Sequence, residues 1–214
     1  MDEITAIKLQ KRNHQRVNIY LNGEFAFGLA RILAAWLKVG QNISEEKIAE
    51  LQAEDAIETA YQRALKLFDY RDCSEHEVRQ KLAKHNIDKG TIDAVIQRLS
   101  KGEIINDRHF AAQWIANRTE FRPRSRRALR YELKQKGISE AIISSVLELV
   151  DDEKACYEAA QKQWRKYRGL EWSQFRKRMI AFLARRGFHY QIANQTTERI
   201  FEELILTNDV VITE

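Results

Sequence analysis

The first thirty residues show a strand-like pattern. Residues 16–21 alternate between apolar and more polar side chains, and residues 4–10 and 24–27 form two further short β-like runs. Asn22-Gly23 separates two of these runs, and this pair suits a type I′ turn because both central residues need a positive φ. The pattern predicts a small N-terminal β-hairpin element. We expect its aromatic residues to be packing residues, namely Tyr20, Phe25 and Phe27.

The pattern becomes helical from Ala30. Ser44 is a suitable N-cap for a helix over the acidic stretch 45–58, because a serine side chain can accept a hydrogen bond from the first helical turn. We therefore treat residues 1–55 as an N-terminal extension that consists of the β-hairpin element and a helical part.

From residue 56 onward, the same helical pattern occurs three times. Leu82, Leu133 and Leu183 lie in register, 51 and 50 residues apart. The apolar residues one helical turn earlier are also in register: Val78, Leu129 and Met179. This periodicity predicts three tandem repeats of about fifty residues, which is a length typical of helical repeat proteins.

Each copy also carries the signal for the end of a helix. Four residues after the leucines come residues that tolerate the left-handed conformation, namely Asn86, Gly137 and Gly187. Each is followed by an apolar residue: Ile87, Ile138 and Phe188. At the helix starts, Ser74 and Glu77 fit a capping box, and Ser125 can cap the second copy.

The chain is thus predicted to be mainly α, with three three-helix repeats behind the hairpin element. The repeats cover residues 56–105, 106–155 and 156–205, and residues 206–214 form a tail. Units that contact mainly their neighbours build an elongated, curved array. Trp114 and Trp164 occupy equivalent positions in repeats 2 and 3, which favours a shared packing role in the core.

Basic residues are concentrated in repeats 2 and 3. The chain has 214 residues and a formal net charge of +5. Clustered arginines and lysines in successive repeats favour contact with phosphates or with an acidic protein surface, and electrostatics alone does not separate these targets. The candidate filament- or nucleic-acid-binding residues are Arg122, Arg124, Arg126, Arg127, Arg130, Lys134, Arg176, Lys177, Arg178, Arg185 and Arg186.

The motifs of common enzymes are absent from the sequence. It contains no GxxxxGK[ST] loop, no GxGxxG loop and no GxSxG elbow. The five histidines are scattered without the spacing of metal ligands: His14, His76, His85, His109 and His189. We therefore expect a binding protein that has no catalytic residue, no metal site and no cofactor.

Several features suggest a cytoplasmic protein. No stretch has the length and apolar character of a membrane span, and the acidic N-terminus lacks a signal-peptide pattern. Cys73 and Cys156 lie far apart in sequence and form no CxxC unit, which is typical of reduced, partly buried thiols. We expect no membrane partner, and we expect a monomer.

In these features the sequence resembles the RecX family of RecA recombinase regulators. The resemblance covers the run from Tyr61 to Leu204, and the hairpin from Arg16 to Phe27 is similar to the family's N-terminal extension. Two segments carry most of it: Ser-Glu-His-Glu-Val-Arg-Gln-Lys-Leu from Ser74, and Phe-Leu-Ala-Arg-Arg-Gly-Phe from Phe182. No single motif is diagnostic, and the specificity lies in the order and spacing of the copies.

The resemblance implies a function that composition does not reveal. Members of this family bind RecA filaments on single-stranded DNA and generally restrain recombination, ATPase and coprotease activities. We therefore expect a negative modulator of RecA. The main alternative is a helical-repeat protein that binds DNA directly, and a second is an adaptor that docks a different acidic partner.

Overall fold

The computed structural model describes residues 1–206. Within them the chain forms nine α-helices and four β-strands, so the prediction of a mainly α fold with a small N-terminal β element is confirmed. Residues 207–214 of the predicted tail lie outside the described residues. The chain divides into two compact units, one from Met1 to Ile105 and one that begins at Asn106.

The N-terminal β element is a four-stranded antiparallel sheet, which is larger than the predicted hairpin. Its strands are β1 (Asp2–Leu9), β2 (Arg16–Leu21), β3 (Glu24–Ala30) and β4 (Asn42–Ile43), in the order β3-β2-β1-β4. Asn22 and Gly23 have φ values of 49° and 91°, so the predicted turn between β2 and β3 is confirmed. Ile4, Ile19 and Leu29 are fully buried beneath the sheet.

The prediction that Phe25 is a packing residue is wrong. Phe25 is 58% exposed, whereas Phe27 is 7% exposed. A β-bulge explains the difference, because Ile19 pairs with Phe27 and Tyr20 pairs with Phe25, which leaves Ala26 as an extra residue. The extra residue moves Phe25 to the opposite face from Phe27. There its ring contacts the edge of Tyr20, with 6.0 Å between centroids.

The segment after β3 is less helical than predicted. One turn of 3-10 helix covers Leu33–Trp36, and the chain then returns to pair Ile43 with Asp2. Gly40 has a φ of 87°, a left-handed conformation that ends any helix and allows the chain to reverse towards β1. The first α-helix therefore begins only at Glu45.

Helix α1 (Glu45–Phe68) contacts the sheet with its first half and contributes its second half to repeat 1. The Ser44 side chain accepts a hydrogen bond from the Lys47 amide, so the predicted N-cap is confirmed. In its first half, Asp55 accepts hydrogen bonds from Arg16 at 2.6 Å and from the Ala30 amide at 2.7 Å. The second half buries apolar residues in repeat 1. The helix thus runs through the position between residues 55 and 56, where we placed the start of the first repeat.

The repeats each contain three helices. Repeat 1 combines the second half of α1 with α2 (Glu75–Ala83) and α3 (Lys89–Lys101). Repeat 2 contains α4 (Asp107–Phe121), α5 (Arg126–Gln135) and α6 (Glu140–Leu147). Repeat 3 contains α7 (Asp152–Gln163), a 3-10 turn (Trp164–Tyr167), α8 (Trp172–Arg185) and α9 (Tyr190–Leu206).

The local signals at the helix ends are confirmed. Asn86, Gly137 and Gly187 have φ values of 57°, 75° and 90°, so all three second helices end in the left-handed conformation. Ser74 and Glu77 form the predicted capping box, and Ser125 accepts from the Ala128 amide. Helix α8 differs, because it begins one turn earlier than its counterparts and has no side-chain cap. The three register leucines are fully buried: Leu82, Leu133 and Leu183.

The structure also shows where the cysteines and two of the tryptophans lie. Cys73 and Cys156 are buried free thiols. Trp114 and Trp164 are half-buried and pack against the cores of their own repeats, which agrees with the predicted shared packing role. Within residues 1–206, no helix is both long and apolar enough to cross a membrane.

Candidate functional site

All eleven candidate basic residues belong to the second compact unit. The structure separates them into four groups according to what their side chains contact. Two are tied to the backbone or to polar side chains of their own repeat, two form ion pairs with Glu140, four are exposed without an acidic partner within residues 1–206, and three belong to a cluster around Glu132. These groups differ in what they can offer to a ligand.

Arg126 and Arg176 are tied into their own repeats. Arg126 donates from Nε to the Val150 carbonyl and from its terminal nitrogen to the Glu148 carbonyl at 3.3 Å, and both oxygens follow helix α6. Arg176 donates to Asn194 Oδ1 at 2.7 Å and to the Tyr190 hydroxyl at 2.9 Å, which joins α8 to α9. Both guanidinium groups therefore satisfy internal acceptors and serve the packing of their repeat.

Arg130 and Lys134 form ion pairs with one carboxylate. Arg130 contacts Oε1 of Glu140, and Lys134 Nζ lies 3.0 Å from Oε2 of the same side chain. The cationic side chains are 42% and 54% exposed. Exposed pairs of this kind contribute little to stability, and two cations share one anion. This part of α5 therefore keeps a positive charge that solvent or a partner can reach.

Four further candidates are exposed and have no carboxylate within ion-pair distance among residues 1–206. They are Arg127 on α5 and Lys177, Arg178 and Arg185 on α8. Helix α8 contains no acidic residue. With about 100° per residue, its exposed face spans roughly 120°. That face consists of Gln174, Lys177, Arg178, Ala181, Ala184 and Arg185.

The fourth group lies around Glu132, whose side chain is only 14% exposed. Its Oε2 accepts from Nε1 of Trp114 at 2.7 Å and from Nε of Arg118 at 2.8 Å. Nε of Arg124 lies 3.0 Å from Oε1 of Glu132, but without the alignment of a hydrogen bond, so this buried N–H has no acceptor within the described residues. The guanidinium of Arg118 also lies over the Trp114 ring, 4.6 Å from its centroid.

Arg122 and Arg186 complete this group, which we call the Glu132 cluster: Trp114, Arg118, Arg122, Arg124, Glu132 and Arg186. Desolvation lowers the pKa of Arg186 below its ordinary value, and the neighbouring charges of Arg124, Arg122 and Arg118 lower it further. Arg186 donates to the Pro123 carbonyl at 3.3 Å and stacks over Phe182. The cluster therefore contains four guanidinium groups and one carboxylate, and Arg118 and Arg124 are the two that contact it.

Backbone contacts between repeats 2 and 3 hold the Glu132 cluster in place. The Ser125 amide donates to the Arg186 carbonyl at 3.2 Å. A methyl group on Gly187 would lie 2.6 Å from Oγ of Ser125 and 2.7 Å from Cβ of Ala128, so the end of α8 packs directly on the start of α5. This approach requires glycine, and it brings Arg186 to the loop that carries Arg122 and Arg124.

Sequence reasoning missed two members of the cluster. Arg118 lies on α4, outside the basic stretch that begins at Arg122, and Trp114 was assigned to packing alone. A signal was present, because Trp114 and Arg118 are four residues apart and so share one face of helix α4, and Arg122 directly follows that helix. Pairing of that face with Glu132 depends on the tertiary structure.

The described residues offer no cluster of metal ligands, and the thiol of Cys156 is not activated. Within residues 1–206, no three side chains of His, Cys, Asp or Glu come together to hold a metal ion. Burial raises the pKa of the Cys156 thiol to about 11. At neutral pH that thiol is protonated, and a protonated thiol is a poor nucleophile.

Models of four protein domains match this chain. The N-terminal domain of the regulatory protein RecX matches residues 2–44. The first, second and third three-helix domains of RecX match residues 60–99, 106–147 and 151–196. The order of the four matches follows the order of the sheet and the three repeats along the chain.

Curated relatives and solved structures agree with these matches. The chain is 30% identical over 207 residues to the regulatory protein RecX of Bacillus pumilus, which covers 94% of this chain and 79% of that relative. It is also 30% identical to the Clostridium perfringens protein of the same name, with 94% and 97% covered. A crystal structure of regulatory protein RecX superposes with a TM-score of 0.74 at 25% identity, over 92% of this chain and 100% of that chain. The chain therefore belongs to the RecX family of regulatory proteins.

Proposed function

We propose that this protein is a negative modulator of the RecA recombinase that binds the RecA filament on single-stranded DNA. It restrains recombination, ATPase and coprotease activities, and it acts in the cytoplasm as a monomer without catalysis of its own. The observation that carries the proposal is family membership over the sheet and all three repeats. The name of the relatives refers to regulation, which fits a binding protein better than an enzyme.

We assign the filament contacts to those basic residues of repeats 2 and 3 that are exposed and have no acidic partner within residues 1–206. The acid-free face of α8 presents Lys177, Arg178 and Arg185, and α5 adds Arg127. Both the phosphates of DNA and acidic patches on RecA attract such a surface. A ligand that binds one filament state more tightly than another shifts the filament towards that state, which is how binding alone regulates it.

A second candidate function is direct binding to DNA without RecA. The same face of α8 favours it, because alanines at 181 and 184 leave room for a nucleic-acid backbone to approach the helix between the cations. This candidate differs from the first in one respect only: the affinity for DNA does not depend on RecA.

The test compares binding to RecA filaments on single-stranded DNA, formed with a slowly hydrolysed ATP analogue, with binding to the naked DNA at the same salt concentration. We expect a clear preference for the filament together with reduced RecA ATPase. Equal or stronger binding to naked DNA, with unchanged RecA ATPase, would establish the second candidate instead.

A pair of charge-reversal variants locates the contact. In the first, Lys177, Arg178 and Arg185 are replaced by glutamate, and we expect it to fold and to lose most filament affinity. In the second, the exposed residues Lys84, Lys89 and Lys101 of repeat 1 are replaced by glutamate, which changes the net charge equally. If both variants lose the same affinity, binding depends on total charge and the assignment to α8 is wrong.

A further inference from the structure

The Glu132 cluster carries more positive charge than the protein itself neutralises. The cluster holds four arginines and one carboxylate: Glu132 contacts Arg118 and Arg124, and no carboxylate within residues 1–206 is in ion-pair contact with Arg122 or Arg186. Like charges held this close repel one another, and desolvation adds to the cost. A bound anion would relieve both.

The cluster also contains a hydrogen-bond donor without an acceptor. Nε of Arg124 is buried and makes no hydrogen bond within the described residues. Because this N–H faces Oε1 of Glu132 at 3.0 Å, an external anion can reach only the terminal nitrogens of Arg124, whose side chain is 35% exposed. Arg122 has no acidic partner within those residues either, and its side chain is exposed.

We propose that Arg122, Arg124 and Arg186 form a phosphate-binding site at the junction of repeats 2 and 3, and that the phosphate belongs to the backbone of a single-stranded nucleic acid. Glu132 and Trp114 orient the arginines from the protein side of the site. This inference rests on the proposed function, since it names the ligand of one part of the same basic surface.

The arrangement fits a phosphate better than a carboxylate. A phosphate has tetrahedral oxygens that accept from several guanidinium groups in different planes, whereas the two oxygens of a carboxylate lie in one plane. Glu132 already pairs with two of the arginines, through one oxygen for Arg118 and the other for Arg124. The remaining N–H groups come from chain segments that are 63 residues apart.

The surroundings favour a polymer of phosphates over an isolated ion. Arg185 adjoins Arg186 at the end of α8, and Arg127 lies in the first turn of α5, next to Ser125, which contacts Arg186. Both are exposed and unpaired within residues 1–206. The site thus continues into further cations on either side, as the successive charges of a nucleic-acid backbone require.

The site is also held rigidly before any ligand binds. The Ser125 amide and the Arg186 carbonyl form a hydrogen bond, and Gly187 leaves no space between α8 and α5. A site that needs no rearrangement loses less free energy on ordering its side chains, so it binds a small anion measurably on its own. This makes pyrophosphate a suitable probe.

The first experiment is a pyrophosphate titration of the full chain, followed by calorimetry and by the NMR signal of the Trp114 indole N–H, which donates to Glu132. We expect saturable binding that shifts this signal, with the assignment made from Trp114→Phe. Arg122→Gln and Arg186→Gln should each weaken binding at least fivefold. Arg12→Gln, an exposed residue in the N-terminal unit, removes the same charge and should bind as the wild type does.

The second experiment measures the affinity for a twelve-nucleotide oligothymidylate at several salt concentrations, without RecA. Loss of one phosphate contact lowers the slope of log affinity against log salt by about 0.7 for a single strand. We expect that decrease for Arg122→Gln and none for Arg12→Gln. The Arg122 side chain is exposed and makes no hydrogen bond or ion pair within residues 1–206, so its variant separates loss of the site from the unfolding that Arg186→Gln risks.

Each result decides the inference. Absence of pyrophosphate binding, or equal binding by Arg122→Gln and Arg12→Gln, overturns the phosphate site. Pyrophosphate binding that needs Arg122, with an unchanged salt slope for the oligonucleotide, overturns the nucleic-acid ligand. Since RecA is absent from both experiments, a protein that binds oligonucleotide through Arg122 but ignores RecA filaments would contradict the proposed function and leave this inference intact.

Discussion

Two glutamates with little exposure, the buried Glu58 in repeat 1 and the half-buried Glu132 in repeat 2, have very different surroundings. Glu58 accepts from Arg98 at 2.5 Å and from Gln62 at 2.9 Å, and Arg98 stacks on Tyr61 with 3.8 Å to the ring centroid. Here one carboxylate meets one guanidinium. Glu132 instead contacts two guanidinium groups, those of Arg118 and Arg124, whose charges also act on Arg186.

The difference shows how a structural charge can be separated from a functional one. In a balanced pair such as Glu58 and Arg98, the two charges neutralise each other and hold their own helices together. No excess charge remains to attract a ligand. An excess of one sign around a shared partner costs stability in the free protein, and proteins accept such costs mainly at functional sites. Four predictions test this distinction, from the largest expected effect to the smallest.

Gly187→Ala should separate Arg186 from the Glu132 cluster. The new methyl group would meet Ser125 and Ala128 at under 3 Å, and the φ of 90° is unfavourable for any side chain. We expect a loss of about 3 kcal/mol in the free energy of unfolding, measured by urea denaturation. Gly169→Ala is the matched control, because its φ of 76° is similar but nothing lies within 4 Å. It should lose only about 1 kcal/mol, and equal losses would show that the contact with α5 is unimportant.

Glu132→Gln should be destabilising because it removes the only anion of the cluster. We expect a loss of about 2 kcal/mol in the free energy of unfolding at low salt. The loss should shrink markedly at 0.5 M salt, since mobile anions screen the arginines from one another. Urea denaturation at two salt concentrations measures this. A loss that does not respond to salt would mean that the arginines do not repel one another appreciably.

Arg98→Gln should show the behaviour of a balanced pair. Burial raises the pKa of Glu58, but hydrogen bonds from Arg98 and Gln62 and the charge of Arg98 outweigh it, and the pKa lies below its ordinary value. A lowered pKa in the folded state gives stability that is present above the ordinary pKa and is lost as the pH falls through the folded value. We expect a loss of about 1 kcal/mol at pH 7.

The pH dependence provides the check for Arg98→Gln. The difference from the wild type should be constant between pH 6 and pH 8 and should diminish as the pH falls below about 4. Urea denaturation across this pH range measures it. A difference that grows on acidification would contradict the assignment of the stabilising charge to Glu58.

The smallest effects are expected at neighbouring positions of α8. Lys177→Ala should change the free energy of unfolding by less than about 0.5 kcal/mol, because Lys177 is exposed and unpaired within residues 1–206. Arg176→Ala removes the hydrogen bonds to Asn194 and Tyr190 and should cost about 1 kcal/mol. For filament binding the order reverses, with Lys177→Ala the more harmful of the two. If Lys177→Ala and Arg176→Ala have the same free energy of unfolding, the internal hydrogen bonds of Arg176 contribute nothing to stability.

The helix ends and register of the repeats could be predicted from sequence because they are set locally. A capping serine bonds to an amide three residues away, and the residue after each helix adopts its left-handed conformation whatever surrounds it. The bulge at Ala26 could not be predicted in the same way. It depends on how β3 pairs with β2, and it decides that Phe25 faces solvent while Phe27 is buried.

The candidate site was predicted as a set of basic residues, and the sequence treated its members alike. It could not distinguish Arg126 from Arg127, since both are arginines in the first turn of one helix. Only the structure shows that Arg126 contacts the segment that follows α6, whereas Arg127 faces solvent. Arg118 was missed for the corresponding reason, because it is basic but lies outside the run of charges.

Sequence by itself thus determined the repeats, their boundaries in helix and turn, and the excess of positive charge in repeats 2 and 3. These properties depend on residues within one or two helical turns, where spacing and residue type are sufficient. Tertiary structure decided which cations are satisfied and which are free, since Glu132 reaches Arg118 from another helix and Arg186 reaches Pro123 across 63 residues. Such contacts follow from how helices pack, and short-range patterns carry no information about that packing.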